Sequence, residues 1–146
     1  MNTQWHLRVR AVIERKGKVL TVRTKDGSHS FLPGGHVEIG ESATVALARE
    51  LKEELGVSSK IESYLGAIEN AWTEGDTRHW EITHFFEITL PEVKDDEVIA
   101  PAESGFDVVW AEPSEFEKLN FLPVPLRGFL ADWLKGVRKT WWASSM

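Results

Sequence analysis

The sequence predicts an α/β sandwich, because segments with a two-residue hydrophobic repeat are mixed with two segments that have a helical repeat. The strand-like segments lie near the N-terminus and in the middle of the chain. The helical segments are Ser42 to Gly56 and the stretch after Pro125. No repeat or low-complexity tract divides the 146 residues, so we expect a single domain over residues 1–146.

Two strands are predicted near the N-terminus. Apolar residues alternate with more polar ones from Trp5 to Ile13, and Lys18 to Lys25 forms a second strand-like segment. The short turn Arg15-Lys16-Gly17 lies between them. We therefore expect these two strands to pair with each other.

The middle of the chain predicts a second hairpin and a further strand. Lys60 to Trp72 and Thr77 to Leu90 are strand-like and flank a turn at Glu74-Gly75-Asp76. Phe106 to Ala111 reads as a short strand. Pro113 to Leu119 can start a helix, because proline suits a first helical turn.

The last long element is predicted to be an amphipathic helix that packs on the sheet. Its apolar residues recur at helical spacing and are Leu126, Phe129, Leu130, Trp133, Leu134 and Val137. The pair Trp141 and Trp142 follows it. These two aromatic residues predict either a partner or dimer surface or a segment that folds back into the core.

Composition narrows the classes of function. The 17 basic and 23 acidic residues give a net charge of −6, which provides no general attraction to nucleic acid or to anionic lipid. Cysteine is absent, so disulfide and thiolate metal sites are excluded. The N-terminus lacks an apolar signal core, and no apolar run approaches about 20 residues. We expect a cytoplasmic protein without a nucleic-acid polymer or a membrane as partner.

The segment Leu32 to Val57 contains the residue types of a catalytic or metal-binding site. A glycine turn, Gly34-Gly35, precedes a helix that should begin near Ser42 and end at Gly56. Three glutamates fall at i, i+3 and i+4 on one side of that helix, next to an apolar stripe. The glutamates are Glu50, Glu53 and Glu54, and the stripe consists of Leu47, Leu51 and Leu55.

Like charges at this spacing cost an isolated helix roughly 0.2 to 0.5 kcal/mol per pair. A hard divalent cation such as Mg²⁺ would remove that cost, because it prefers oxygen ligands, and a carbonyl from the glycine turn could complete its shell. The alternative is a solvated acidic face on a surface helix, with glycines that only form a turn.

The complete pattern favours the first interpretation. Gly35, Glu41, the run Arg49-Glu50-Leu51, the pair Glu53-Glu54 and Gly56-Val57 stand at the spacing of the Nudix signature. Average residue usage would produce this match by chance on the order of once in ten million such chains. The chain therefore resembles the Nudix hydrolase family.

The resemblance implies an α/β/α sandwich with a mixed β-sheet and a metal-dependent hydrolase of nucleoside diphosphate derivatives. It implies that Mg²⁺, or Mn²⁺ in its place, is bound by the three glutamates with the Gly34 carbonyl. Arg49 would hold the glutamates in place, and Glu41 would lie in the layer behind the metal ligands. The resemblance also implies a general base, for which we expect Glu50 first and Glu53 second.

One further metal ligand is expected from a loop before the short strand, and Glu103 has the nearest position. Its competitors in that acidic loop are Glu92, Asp95, Asp96 and Glu97. Arg23, Gly35, His36 and Trp72 are the candidates for substrate binding. The alternatives are an exposed arginine, a solvated loop histidine and a core tryptophan.

The substrate is less well defined by sequence. Residues 15 to 17 places beyond the box mark substrate class in similar enzymes, and here they read Trp72-Thr73-Glu74. They lack the proline expected for ADP-ribose enzymes and the tyrosine expected for diadenosine polyphosphate enzymes. We expect a nucleoside triphosphate, either unmodified or damaged, that is cleaved to the monophosphate and pyrophosphate. A nucleotide sugar, an ADP-ribose-type substrate and a non-catalytic nucleotide-sensing module stay open, as do a monomer and a homodimer.

Overall fold

The computed structural model describes all residues, 1–146, and contains nine strands and two α-helices. In chain order the elements are β1 (Asn2–Val12), β2 (Glu14–Arg15), β3 (Lys18–Thr24), β4 (Ser30–Phe31), β5 (Gly34–His36), α1 (Ala43–Leu55), β6 (Lys60–Glu74), β7 (Thr77–Thr89), β8 (Phe106–Ala111), α2 (Val124–Leu134) and β9 (Trp141–Ser144). A short 3₁₀ helix, Pro113–Glu115, lies between β8 and α2.

The strands form two sheets. The larger sheet has the order β5-β1-β7-β6-β9 and is mixed, because β1 runs parallel to β7 and β9 runs parallel to β6. In the smaller sheet, β3 pairs antiparallel with β2, β4 and β8. Strand β1 lies between β5 and β7, so both of its edges are hydrogen-bonded.

The expected pairing of the first two strands is confirmed only at the turn. Glu14 and Arg15 pair with Val19 and Lys18 across the reversal at Lys16 and Gly17. The remainder of the first strand, β1, leaves this hairpin and pairs with β5 and β7. The turn residues specify the local reversal, whereas β1 gains hydrogen bonds on both edges at its position inside the larger sheet.

The second hairpin is confirmed. Strands β6 and β7 pair from Lys60 and Thr89 to Glu74 and Thr77, and the reversal lies at Gly75 and Asp76. Gly75 has φ of +60°, which a glycine adopts without strain. Local turn chemistry therefore specified this hairpin completely.

Two hydrophobic cores show that the predicted sandwich is correct. One core packs α1 against the larger sheet and β3, through residues that include Leu47, Leu51 and Val9. The other packs α2 on the opposite side, through residues that include Leu126 and Phe85. The chain is therefore a mixed α/β fold with one helix on each side of a mixed sheet.

The region before β9 differs from two expectations. The helix predicted after Pro113 is only the short 3₁₀ turn, because Phe116 and Phe121 stack in the core and Asn120 reverses the chain with φ of +45°. Helix α2 ends at Leu134, so Val137 lies outside it and is exposed.

The two C-terminal tryptophans have different environments. Trp141 is buried beside Phe85 and stacks on Phe129, whereas the Trp142 side chain is 61% exposed. The segment thus contributes to the core through one residue and presents the other on the surface.

Neither helix combines the length and the apolar character that crossing a membrane demands.

The close approach of β9 to β6 depends on Gly66. Its φ is +147°, and a Cβ there would overlap the backbone of Trp141. We expect Gly66→Ala to lower the free energy of unfolding by about 2 kcal/mol or more, because strain and a backbone clash add together. Urea denaturation followed by tryptophan fluorescence measures the change.

Gly128→Ala is the matched control, because Gly128 lies in α2 and nothing lies within 4 Å of a Cβ there. It should raise the free energy of unfolding by about 0.5 to 1 kcal/mol through helix propensity. Equal stability of Gly66→Ala and the native chain would contradict the tight β6–β9 contact.

Candidate active site

A glycine turn brings the chain against the acidic helix. Gly34 and Gly35 lie in β5, where they pair with Arg10 and Val9 of β1. Gly34 has φ of +144°, and a Cβ there would overlap the backbone of Val9. A Cβ on Gly35 would overlap the carboxyl group of Glu50. The two glycines therefore allow the turn to approach the sheet and the helix at the same time.

Helix α1 has the predicted boundaries. The Ser42 hydroxyl accepts a hydrogen bond from the Val45 amide at 3.2 Å, and Gly56 ends the helix in the left-handed conformation with φ of 67°. One face of the helix is buried and consists of Ala46, Leu47, Leu51 and Leu55. Burial of that face fixes the rotation of the helix and places its glutamates beside the glycine turn.

The guanidinium group of Arg49 holds the acidic side of α1 together. Its Nε and Nη2 atoms donate to Glu41 at 2.7 and 2.9 Å. Its Nη1 atom donates to Glu50 at 3.1 Å and to Glu53 at 3.4 Å, and Nη2 also donates to the His36 carbonyl at 3.0 Å. Hydrogen bonds from Arg49 lower the pKa of Glu41 to about 2. One cation thus orders three carboxylates and the glycine loop.

Glu54 lies deeper than the other glutamates. Its Oε1 atom accepts a hydrogen bond from the Gly34 amide at 3.3 Å, and its carboxyl group also contacts that of Glu50. Burial raises the pKa of Glu54 to about 8, and Glu50 adds to this effect against the opposing charge of Arg10. The nearby charge of Arg10 thus offsets the effect of burial on Glu54 only in part.

The donor atoms here fit a hard divalent cation. The neighbouring carboxyl groups of Glu50 and Glu54 offer oxygen atoms, which are the ligands that Mg²⁺ prefers. The two positive charges of the cation would also offset the repulsion between these carboxyl groups. Glu53 is half exposed and paired with Arg49. No group of three or more histidine, aspartate or glutamate side chains is arranged to hold a metal ion together. The structure thus brings Glu50 and Glu54 together and leaves Glu53 at the open side.

A cleft of about 640 Å³ opens beside this site, on the face of the larger sheet that carries Arg10. The residues of the sheet that line it are Arg8, Arg10, Asn70, Trp72, Glu81, Thr83 and Phe85. Phe31 and the loop that leads into α2 form the opposite wall. The cleft is therefore mostly apolar, with a few charged groups on its floor.

Two arginines lie on the cleft floor, and one of them is paired with a glutamate. Arg8 Nε donates to Glu81 at 2.8 Å, and the Arg10 guanidinium lies 4.9 Å from the centre of the Phe31 ring and donates to the Leu32 carbonyl at 3.1 Å. Burial, with a contribution from Arg8, lowers the pKa of Arg10 to about 10. Arg10 is therefore still protonated at neutral pH, which gives the cleft a fixed cation near Glu54.

Three histidines form a hydrogen-bonded row at the outer end of the same sheet face, which we call the imidazole row. His6 Nδ1 is 2.9 Å from His36 Nε2, and His6 Nε2 is 2.8 Å from His79 Nδ1. The Trp72 ring stacks on His79 with 4.8 Å between centroids and 7° between planes. Since His6 uses a different nitrogen for each neighbour, the three rings do not face one common ion. The row instead fixes the orientation of Trp72.

The predicted site residues thus have different positions. Gly34, Gly35, Glu50 and Glu54 lie together, Arg49 links Glu41, Glu50 and Glu53, and Trp72 lines the cleft. Glu103 is exposed, although the adjacent Ala102 amide donates to the backbone carbonyl of Glu54 at 2.7 Å and brings the loop to the end of α1. Arg23 lies 3.9 Å from Asp107 and is not among the residues that line the cleft.

Sequence reasoning missed Arg8, Arg10 and Glu81. The two arginines alternate with apolar residues along β1, which is the usual pattern of a solvent-facing strand side. Only the pairing of β1 with β7 shows that this side faces a cleft. The available signal was the repeat of arginines along a strand that has a neighbouring strand on each side. The sequence does not reveal this position, because the neighbouring strands are distant from β1 in the chain.

The sequence matches the family described as the NUDIX domain over residues 4–133. Among curated proteins, it is 33% identical over 118 residues to the ADP-ribose pyrophosphatase of Methanocaldococcus jannaschii, covering 79% of this chain and 63% of that protein. It is 32% identical over 122 residues to the CTP pyrophosphohydrolase of Escherichia coli, covering 81% of this chain and 84% of that protein. The chain thus spans less than two thirds of the archaeal relative.

Solved structures have the same fold. The E. coli ORF135 protein superposes with a TM-score of 0.66 at 26% identity, covering 93% of this chain and 94% of that one. The MutT protein of Bacillus halodurans superposes with a TM-score of 0.70 at 15% identity, covering 95% and 88%. At this lower identity the likeness is one of fold alone.

If the acidic site binds a divalent cation, Mg²⁺ should raise the melting temperature, because it binds only the folded arrangement. At ten times the dissociation constant we expect a rise of about 3 to 6 °C. In Glu53→Gln the rise should fall below about 1 °C. Differential scanning fluorimetry over a Mg²⁺ titration measures both.

Glu117→Gln is the control, since Glu117 is exposed and remote in sequence from α1. It should keep the full rise. A rise of equal size in Glu53→Gln would remove Glu53 from the metal ligands.

Proposed function

Because this chain belongs to the Nudix family, we propose that it is a metal-dependent pyrophosphohydrolase that converts a nucleoside triphosphate to the monophosphate and pyrophosphate. The observation that carries this proposal is the arrangement of Gly35, Arg49, Glu50 and Glu54 next to a cleft of nucleotide size. The proposed cofactor is Mg²⁺, with Mn²⁺ as a substitute.

The relatives support this reaction class. Both curated proteins described above carry pyrophosphatase or pyrophosphohydrolase names, and one of them is named for a nucleoside triphosphate. That protein also aligns over most of its own length. A small-molecule nucleotide is therefore the proposed substrate.

In the proposed mechanism, Glu50, Glu53 and Glu54 would hold the cation with the Gly34 carbonyl, and Glu103 would contribute from the loop at the end of α1. The bound cation would neutralise phosphate charge and make a water molecule more acidic. A Glu50 carboxylate oxygen accepts the proton of the attacking water, and Glu53 is the second candidate for this role.

The remaining site residues position these groups. Arg49 orients Glu50 and Glu53 through its Nη1 atom, and Glu41 fixes Arg49 through two short hydrogen bonds. This leaves the Glu50 carboxylate in one orientation before substrate binds. Preorganised charges of this kind need no rearrangement during the reaction.

The cleft also explains how an acidic protein can hold a polyanion. The chain has a net charge of −6, yet Arg10 places a cation without an ion-pair partner on the cleft floor, whereas Arg8 is paired with Glu81. We assign further substrate contacts to Gly35 and His36 at the glycine turn and to Trp72 by stacking, whereas Arg23 lies outside the cleft and stays a prediction. Local positive charge thus replaces a general attraction.

ADP-ribose is the second candidate substrate, and the archaeal relative favours it. A nucleotide sugar would share the same diphosphate chemistry. A Mg²⁺-dependent screen over nucleoside triphosphates, ADP-ribose and nucleotide sugars, read by product chromatography, separates these candidates. Failure to turn over any of them with metal present would favour a nucleotide-sensing module.

Glu50→Gln should lower kcat at least about a hundredfold on the preferred nucleotide, because it removes the proposed base and a metal ligand. The side chain keeps its size, so the circular dichroism spectrum should be unchanged. Release of pyrophosphate, followed with a coupled phosphate assay, gives the rate.

Glu117→Gln again serves as the control and should keep the native rate. A native rate in Glu50→Gln would assign the proton transfer to another group, with Glu53→Gln as the next variant to measure.

A further inference from the structure

We propose that the Arg8–Glu81 ion pair reads the hydrogen-bonding edge of the nucleobase and selects cytosine over uracil. This inference rests on the proposed function, because it assigns one end of the cleft to the base of the same nucleotide. It adds a specificity-determining pair that the Nudix signature does not contain, since both residues lie outside Gly35 to Val57.

The position of the pair fits the base end of a nucleotide. Arg10 pairs with Gly34 and lies near Glu54, so it marks the phosphate end of the cleft. Arg8 is two residues away on the same strand face, roughly 6.6 Å further along β1. Glu81 joins it from β7. The pair is therefore separated from the reacting phosphates, just as the ribose separates the base from the phosphates in a nucleotide.

The pair has unused hydrogen-bonding capacity inside a confined space. The Arg8 and Glu81 side chains are only 22% and 18% exposed. Arg8 donates from Nε to Glu81, and its terminal N–H groups form no hydrogen bond within the chain. Glu81 Oε1 accepts from the Thr83 hydroxyl at 3.0 Å, and each carboxylate oxygen has a further lone pair. Free donors and a free acceptor thus stand side by side.

Cytosine has the complementary edge. Its exocyclic amino group is a donor next to two acceptors, the ring nitrogen and the carbonyl oxygen. The amino group would donate to Glu81, while Arg8 donates to the two acceptors. Uracil carries an oxygen in place of the amino group, and two acceptors would then face each other. A confined site built for a donor rejects the analogue that lacks it, because its own polar groups lose their partners.

Trp72 gives the base a fixed orientation. It lines the cleft two residues beyond Asn70 on the same face, and Asn70 lies directly opposite Glu81. The imidazole row holds its ring, through stacking on His79 and the bonds from His79 to His6 and from His6 to His36. A base that stacks on a ring held in this way presents its edge to the ion pair in one register.

The test compares kcat/KM for CTP and for UTP with Mg²⁺ in the native chain and in Glu81→Gln. The native chain should prefer CTP by about 10- to 100-fold, the range of one two-point base contact. In Glu81→Gln the amide can also donate to the uracil oxygen, so the preference should fall to about threefold or less. Arg8→Lys keeps the charge but loses the planar donors, and it should lower kcat/KM for CTP more than for UTP.

Glu69→Gln is the matched control. Glu69 lies in the same sheet, but it neighbours Asn70 on β6 and therefore points to the opposite face. It should keep the native preference. If Glu81→Gln fails to fold, as judged by its melting curve, Arg8→Lys decides the question.

Base selection and pyrophosphate hydrolysis are distinguished by different outcomes. Equal turnover of CTP and UTP by the native chain would overturn base selection and leave the pyrophosphohydrolase in place. If no triphosphate is hydrolysed, calorimetric binding of CMP and UMP still tests the pair. Tighter binding of CMP that is lost in Glu81→Gln supports it, and equal binding overturns it.

Discussion

The geometry of the acidic site depends on one guanidinium group. Arg49 reaches Glu41 before the helix, Glu50 and Glu53 on the helix, and the carbonyl of His36 in the glycine turn. These groups come from three segments of the chain. Without Arg49 the carboxylates would repel one another, and the segments would lose the side chain that links them. Because an arginine has five donors in a rigid plane, a single side chain can satisfy them together. The acidic side of α1 is stable for this reason before any cation binds.

Glu54 has a different environment from the carboxylates that Arg49 binds. It lies beyond the reach of Arg49 and is partly buried against Gly34 and Glu50, and Arg10 compensates its charge only in part. The site therefore combines an outer part that Arg49 orders with an inner part where the negative charge is only partly compensated. A divalent cation would supply the positive charge that this inner part is short of.

Much of this arrangement could be predicted from sequence where the determinants are local. Ser42 and Gly56 bounded α1 correctly, and Gly75 with Asp76 marked the β6–β7 turn. The determinants that could not be predicted are distant pairs. The central place of β1 depends on residues about 75 positions later, and its local turn favoured a longer hairpin.

In the candidate site, too, local contacts could be predicted from the sequence and distant contacts could not. The Nudix signature lies in one continuous segment, and its Arg49, Glu41 and Glu50 are in contact as expected. The cleft floor joins Arg8 to Glu81 across 73 residues, and neither residue has a local pattern that announces it. The lining of the cleft thus depends on the part of the fold that sequence describes least well.

The parallel pairing of β1 with β7 also governs when the site can form. Every contact between these strands closes a loop of more than 70 residues, and pairings of such high contact order are slow to form. Helix α1 precedes Thr77–Thr89 in the chain, so it is synthesised before the strand that pairs in parallel with β1. The acidic segment is thus made first, whereas the floor of the cleft needs a pairing between strands that are distant in the sequence.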